Sequence, residues 1–210
     1  LQAHGIESTV AVFGSARVPS PEDPHASDKQ RHDYEQARRF SYDLSRGAAH
    51  TPRCHRLVVA TGGGPGLMEA ANRGASEAGA PTIGFNIRLP HEQQPNPYIT
   101  PGLAFSFRYF ALRKMHFIFR ARALVAFAGG FGTLDEVYEA LNLVLTRTID
   151  PIPIVLVGSN YWSRMLDLDY LADGGYIEAR DKALVYQTDS GADAAAYVLG
   201  RCGCGKDGGS

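Results

Sequence analysis

Cysteine is scarce in this chain of 210 residues: Cys54, Cys202 and Cys204 are the whole complement. An odd count, with two of the three separated by one glycine, argues against a disulfide framework and for a reducing, cytoplasmic setting. No apolar run approaches the roughly 18–20 residues needed to cross a bilayer, so no membrane partner is expected. Neither sign of charge is in excess: 21 basic and 22 acidic residues leave a net charge of −1, too little field to draw in nucleic acid. His4, His25, His32, His50, His55 and His91 are scattered, and neither H-E-x-x-H nor C-x-x-C occurs, so neither a metal nor a cofactor is expected. The G-x-S-x-G elbow of serine hydrolases is missing. Gly-Lys-Ser/Thr is missing as well, and G-x-G-x-x-G/A fails at its last position, which is Leu67 counted from Gly62, Glu69 from Gly64 and Asp135 from Gly130. ATP and NAD are thereby disfavoured, and a smaller phosphorylated ligand fits better.

What is present is a repeating order of apolar strand, glycine-rich turn and helix. Composition is ordinary for a globular chain, 44% hydrophobic and 20% charged, and the length suits one domain. The spacing predicts strands at Thr9–Phe13, Leu57–Ala60, Thr82–Ile87, Ala123–Ala128, Ile152–Val157 and Ala183–Tyr186. Helices are predicted at Tyr34–Arg46, Leu67–Ala78, Phe107–Arg122, Thr133–Thr146, Tyr161–Leu171 and Ala192–Leu199. Residues 17–33 and 89–104 read as long loops, rich in proline. Short, nearly all-apolar strands alternating with helices imply an α/β fold, a single Rossmann-like domain with a parallel sheet covered on both faces. The domain is assigned to 9–200, with 1–8 a disordered leader and 201–210 a flexible tail.

Such a sheet binds ligands at the carboxyl ends of its strands. Three of these ends are Gly-rich or small: Gly14-Ser15, the segment Gly62-Gly63-Gly64-Pro65-Gly66, and Gly129-Gly130-Phe131-Gly132. A glycine turn running into a helix aims free N–H groups and the positive end of the helix dipole at an anion. Thr133-Leu134-Asp135-Glu136 has two readings. It is a capping box, with Thr133 as N-cap and Glu136 reaching back, or it fixes a carboxylate beside the anion cradle, placed to activate water or to stabilise a cationic sugar. The helix over 107–122 carries apolar residues in most directions and so reads as buried. Arg113 and Arg120 fall about 20° apart on its wheel, with His116 alongside and Lys114 pointing elsewhere. Those cations bridge to an acid of the next helix such as Glu136 or Glu139, or they grip a phosphate or orient Glu136 or the substrate.

Gly62–Met68 (GGGPGLM), Arg113-Lys114 and Ala128–Glu136 (AGGFGTLDE) together resemble the LONELY GUY-type phosphoribohydrolases, a family long filed as lysine decarboxylases. The resemblance runs in order from Val10 to about Val157. It implies a Rossmann-like homodimer that hydrolyses nucleoside 5′-monophosphates, AMP or cytokinin riboside monophosphates, to free base and ribose 5-phosphate. It implies Arg113 and Glu136 as the catalytic pair. It implies Gly129, Gly130, Gly132 and Thr133 as the phosphate turn. Gly14, Ser15, Gly62, Gly63, Gly64, Met68 and Lys114 complete the expected substrate-binding set. The residues show no pattern that would hold pyridoxal phosphate. Ala128 stands where the family motif has proline, and Asp135 where many members have glutamate. Similar folds carry molybdenum cofactor, so a non-catalytic carrier is the alternative.

Overall fold

The computed structural model describes residues 1, 4–51, 57–88 and 94–204. Residues 2–3 of the expected leader, Cys54, His55, His91, the 89–93 part of the second loop and 205–210 of the expected tail lie outside them.

Seven parallel strands form one sheet, in the order β4-β3-β2-β1-β5-β6-β7. They are β1 (Ser8–Phe13), β2 (Leu57–Thr61), β3 (Thr82–Ile87), β4 (Ala104–Phe107), β5 (Ala121–Ala126), β6 (Ile154–Val157) and β7 (Val185–Thr188). The helices are α1 (Asp28–Ala49), α2 (Leu67–Glu77), α3 (Phe110–Ile118), α4 (Phe131–Leu145), α5 (Ser159–Met165), α6 (Leu168–Asp173) and α7 (Gly191–Arg201). The fold is therefore the expected α/β Rossmann-like one. The central strands are buried over most of their length, yet their side chains still alternate between two cores, as the pleat requires. Val10 and Val12 of β1 face one core, shared with α1, α2 and α7. Ala11 and Phe13 face the other, with Phe117 of α3, Val137 of α4 and Trp162 of α5.

The departures from expectation each have a local cause. Helix α1 begins at Asp28 because Ser27 and Gln30 form a capping box, with the Ser27 amide donating to Gln30 Oε1 at 2.9 Å. The loop is thus six residues shorter than expected. Arg73 of α2 holds that loop through Glu22 (2.8 Å) and stacks under Tyr98 of the second long connection. Edge strand β4 takes residues that read as loop and helix start. The single helix expected at 161–171 is broken at Leu166, whose backbone leaves the helical region, and Asp167 starts α6 by accepting from the Tyr170 amide at 2.9 Å.

At both ends more of the chain is packed than the sequence suggested. Ile6 is buried and β1 starts at Ser8. After α7, Gly203 takes the left-handed conformation at φ +73°. The amides of Gly203 and Cys204 then donate back to Gly200 O and Leu199 O, which is a Schellman closure. It turns Cys204 into the core, 4% exposed, where the Thr51 hydroxyl donates to its carbonyl. Cys204 is disulfide-bonded and Cys202 keeps its thiol. The expectation of a chain without disulfides is corrected, and the step from cysteine spacing to a reducing compartment loses its premise. Among the described residues no helix is long and apolar enough to cross a membrane.

Candidate active site

Strand order reverses direction about β1, whose neighbours are β2 and β5. Crossovers lead to opposite faces there, which leaves a crevice at the carboxyl ends of the strands. A cavity of about 590 Å³ opens at this point. The end of β1 and the turn that follows β5 line it. Gly14 sits so close to α2 that a β-carbon would meet Leu67 Cβ at 2.7 Å. Ser15 is pinned between the two elements, its amide donating to Ala128 O (3.0 Å) and its carbonyl accepting from the Leu67 amide (2.9 Å).

The turn after β5 runs directly into α4. Gly130 is the N-cap, and no side chain caps this terminus. The capping-box reading is thus overturned: the helix starts three residues before Thr133 would have begun it, and Glu136 does not reach back. An uncapped N-terminus that opens on a cavity presents its first amides and its dipole to a ligand. Thr133 is 6% exposed, and its hydroxyl fills the space beside Gly129, where any β-carbon would collide with it. The Gly129 carbonyl accepts from the Tyr161 hydroxyl of α5 at 2.5 Å, which fixes the turn from the far side.

Glu136 lies one turn further along α4. It is 4% exposed, lines the cavity, and its Oε2 is buried without a hydrogen-bond partner. Burial pushes its carboxyl up to about 7, against the opposing pull of Lys114 and Arg113. Arg113 comes from α3. Its Nε donates to Phe85 O within β3 (2.8 Å), and its guanidinium carbon lies 5.3 Å from the Phe117 ring centre. Burial lowers the Arg113 pKa, offset in part by Glu136. The two opposite charges share one half-dry cavity without a direct bridge between them.

Gly14, Ser15, Met68, Arg113, Gly129, Gly130, Gly132, Thr133 and Glu136 all line this cavity. Gly62, Gly63, Gly64 and Lys114 do not. Gly62 lies behind it, where a β-carbon would stand 2.7 Å from an Arg113 Nη and 2.8 Å from Met68 Sδ. Lys114 is occupied by Asp135 (2.7 Å) and Glu139 (3.0 Å), so the interhelical bridge exists but Lys114 makes it rather than an arginine. Sequence reading missed Arg17, Phe110, Tyr161 and Met165 among the lining residues. Arg17 alone carried a signal, two residues beyond the strand end Gly14-Ser15. Among the described residues no group of three or more His, Cys, Asp or Glu is placed to hold a metal ion.

Helix α3 is not buried as its wheel suggested. Only Phe117 is enclosed, while Tyr109, Phe110, Leu112, Met115 and Phe119 are about half exposed or more. Phe131, 91% exposed, and Tyr138 of α4 extend the apolar surface.

The family model described as "possible lysine decarboxylase" matches residues 68–198. Several solved structures share the fold. That of TM1055, a structural-genomics target, has a TM-score of 0.63 and 24% identity over 92% of this chain and 99% of its own. A molybdenum cofactor binding protein from the phototrophic bacterium Rippkaea orientalis has a TM-score of 0.58 and 19% identity, covering 92% and 96%. The molybdenum cofactor carrier protein of Chlamydomonas reinhardtii has a TM-score of 0.57 and 19% identity, covering 94% and 99%. No curated protein matches the sequence.

Proposed function

We propose, from the premise that this chain belongs to the LONELY GUY family, the one whose model is described as possible lysine decarboxylase, that it hydrolyses the N-glycosidic bond of purine nucleoside 5′-monophosphates. The observation that carries the reading is Glu136, a buried carboxylate with an unpartnered oxygen, about a turn and a half from an uncapped helix N-terminus in the same cavity.

The 5′-phosphate takes the turn Gly129–Thr133, held by main-chain amides, the Thr133 hydroxyl and the α4 dipole. The ribose then reaches toward Glu136. As the bond between C1′ and the purine nitrogen breaks, its electron pair leaves with the base and positive charge gathers on the sugar. The Glu136 carboxylate stabilises that charge and takes a proton from the attacking water, whose oxygen bonds to C1′. The departing base gains a proton in turn. Arg113, anchored on Phe85 O, keeps the carboxylate ionised and orients the sugar. The products are the free base and ribose 5-phosphate. Phe110, Phe131 and Met165 at the cavity's rim offer an apolar seat for a purine. Phe110 and Phe131 belong to the exposed α3–α4 surface, which we assign to a homodimer contact.

The test is incubation with AMP and chromatography for adenine and ribose 5-phosphate. The reading expects release that collapses in Glu136→Gln, while AMP binding survives. The rival is a carrier, favoured by the likeness to molybdenum cofactor proteins. Tight binding without turnover of any nucleoside monophosphate decides for it.

A further inference from the structure

Four polar side chains are buried together beneath the cavity, one from each of four segments. They are Thr61 at the end of β2, Asn72 of α2, Thr82 at the start of β3 and Asn96 of the long connection before β4; the first three are fully enclosed and Asn96 is 7% exposed. The Thr61 hydroxyl donates to Asn72 Oδ1 (2.7 Å) and accepts from the Gly63 amide (2.9 Å). Asn72 Nδ2 donates to the Thr82 hydroxyl and to Ile83 O. Asn96 Nδ2 donates to Asn72 Oδ1 (2.9 Å) and to Gly64 O (3.0 Å). The Asn96 amide donates to Gly63 O (2.9 Å), and its Oδ1 accepts from the Tyr98 amide.

Both backbone groups of Gly63 and the carbonyl of Gly64 are therefore satisfied by this cluster rather than by the sheet ladder. Gly63 itself is left-handed, at φ +72°, and these bonds hold the turn in that shape. Arg113 packs directly against the turn at Gly62. Apolar side chains at these positions would leave the Gly63 amide and the Gly64 carbonyl unpaired. The cluster therefore holds the main chain that forms the bed of Arg113.

We infer that Asn72 and Asn96, with Thr61 and Thr82, are positioning residues: they fix the Gly62–Gly64 turn and through it the guanidinium of Arg113. The inference rests on the hydrolase reading of the site for its kinetic consequence, but not for its structural one. It also gives the long connection a task, because Asn96 ties residues 94–98 to the turn from outside the sheet.

The decisive variant is Thr61→Val, which keeps the shape and removes the hydroxyl shared by Gly63 and Asn72. Asn96→Asp is the second, placing a carboxylate oxygen against two acceptors, and Thr61→Ser is the conservative control. With AMP as substrate, kcat falls about 10- to 100-fold in Thr61→Val and Asn96→Asp. KM stays within about twofold, because the phosphate turn is separate. Thr61→Ser restores the wild-type rate. Hydrogen exchange across residues 61–66 quickens about tenfold or more in the two disruptive variants. Wild-type kcat in folded Thr61→Val overturns the inference whatever the exchange shows. If the wild-type protein releases no adenine from AMP, the hydrolase reading fails by itself. The exchange then decides alone: quickened exchange supports the positioning role, and unchanged exchange in Thr61→Val overturns it.

Discussion

The Thr133 hydroxyl occupies the place that a β-carbon on Gly129 would take. The glycine is required there by space and not by backbone angle, since Gly129 is not among the left-handed glycines. Gly129→Ala must push Thr133 aside and open the turn. We expect the KM for AMP to rise about tenfold or more, equivalent to roughly 1.4 kcal/mol of lost binding. Gly132→Ala is the contrast: nothing lies within 4 Å of its β-carbon, and a helical alanine gains up to about 1 kcal/mol over glycine, so its melting temperature holds or rises. Unchanged AMP affinity in Gly129→Ala means the phosphate sits elsewhere.

Glu136 should cost the fold stability wherever it is charged. Its carboxyl is raised from 4.5 to about 7, so between those values the folded chain holds a proton that the unfolded chain has released. Stability from this group is thus fully present below about pH 4.5 and is lost as pH rises through about 7. The full loss is on the order of 3 kcal/mol. Glu136→Gln removes the penalty. At pH 8 its melting temperature should exceed that of the wild type by several degrees, and at pH 4.5 the two should agree. Equal melting temperatures at pH 8 contradict a buried carboxylate.

Strand β3 was legible to the residue, because Thr82–Ile87 is an apolar run between clear breaks, and Gly129–Glu136 announced itself as a turn feeding a helix. Other features depended on information that a one-dimensional pattern lacks. The wheel of α3 reports that Tyr109, Leu112, Met115 and Phe119 are apolar, but not whether their cover comes from this chain. Glu136 and Thr133 fit a capping box by spacing, and only the earlier helix start at Phe131 excludes it. Arg17 and Tyr161 stand far apart in sequence, and the β1–β5 crevice alone brings them to one cavity. Cys204 looked like tail because the Schellman closure at Gly203 acts through a backbone angle.

The apolar surface of α3 and α4 sets up a prediction about assembly. An exposed patch of large side chains on this scale marks a contact surface. Leu112, 49% exposed and outside the cavity lining, is the residue to test. In light scattering after size exclusion, the wild type should have twice the mass of one chain and Leu112→Asp the mass of one. A wild type that stays monomeric at micromolar concentration defeats the dimer.

Arg113 can be separated into its charge and its fork. If the Glu136 carboxylate is the working form, kcat/KM for AMP climbs with pH through about 7 and levels above it, following the raised carboxyl. Arg113 lowers that value by its charge, so Arg113→Met should move the rising limb to higher pH as well as depress the plateau. Arg113→Lys keeps a cation but loses the planar donor set that binds Phe85 O and lies over Phe117. Its limb should stay near the wild-type position while its plateau falls, by about 10- to 100-fold. A limb that moves equally in both variants means that charge is not what couples the two residues. A limb that moves in neither means that Glu136 is not the group being titrated.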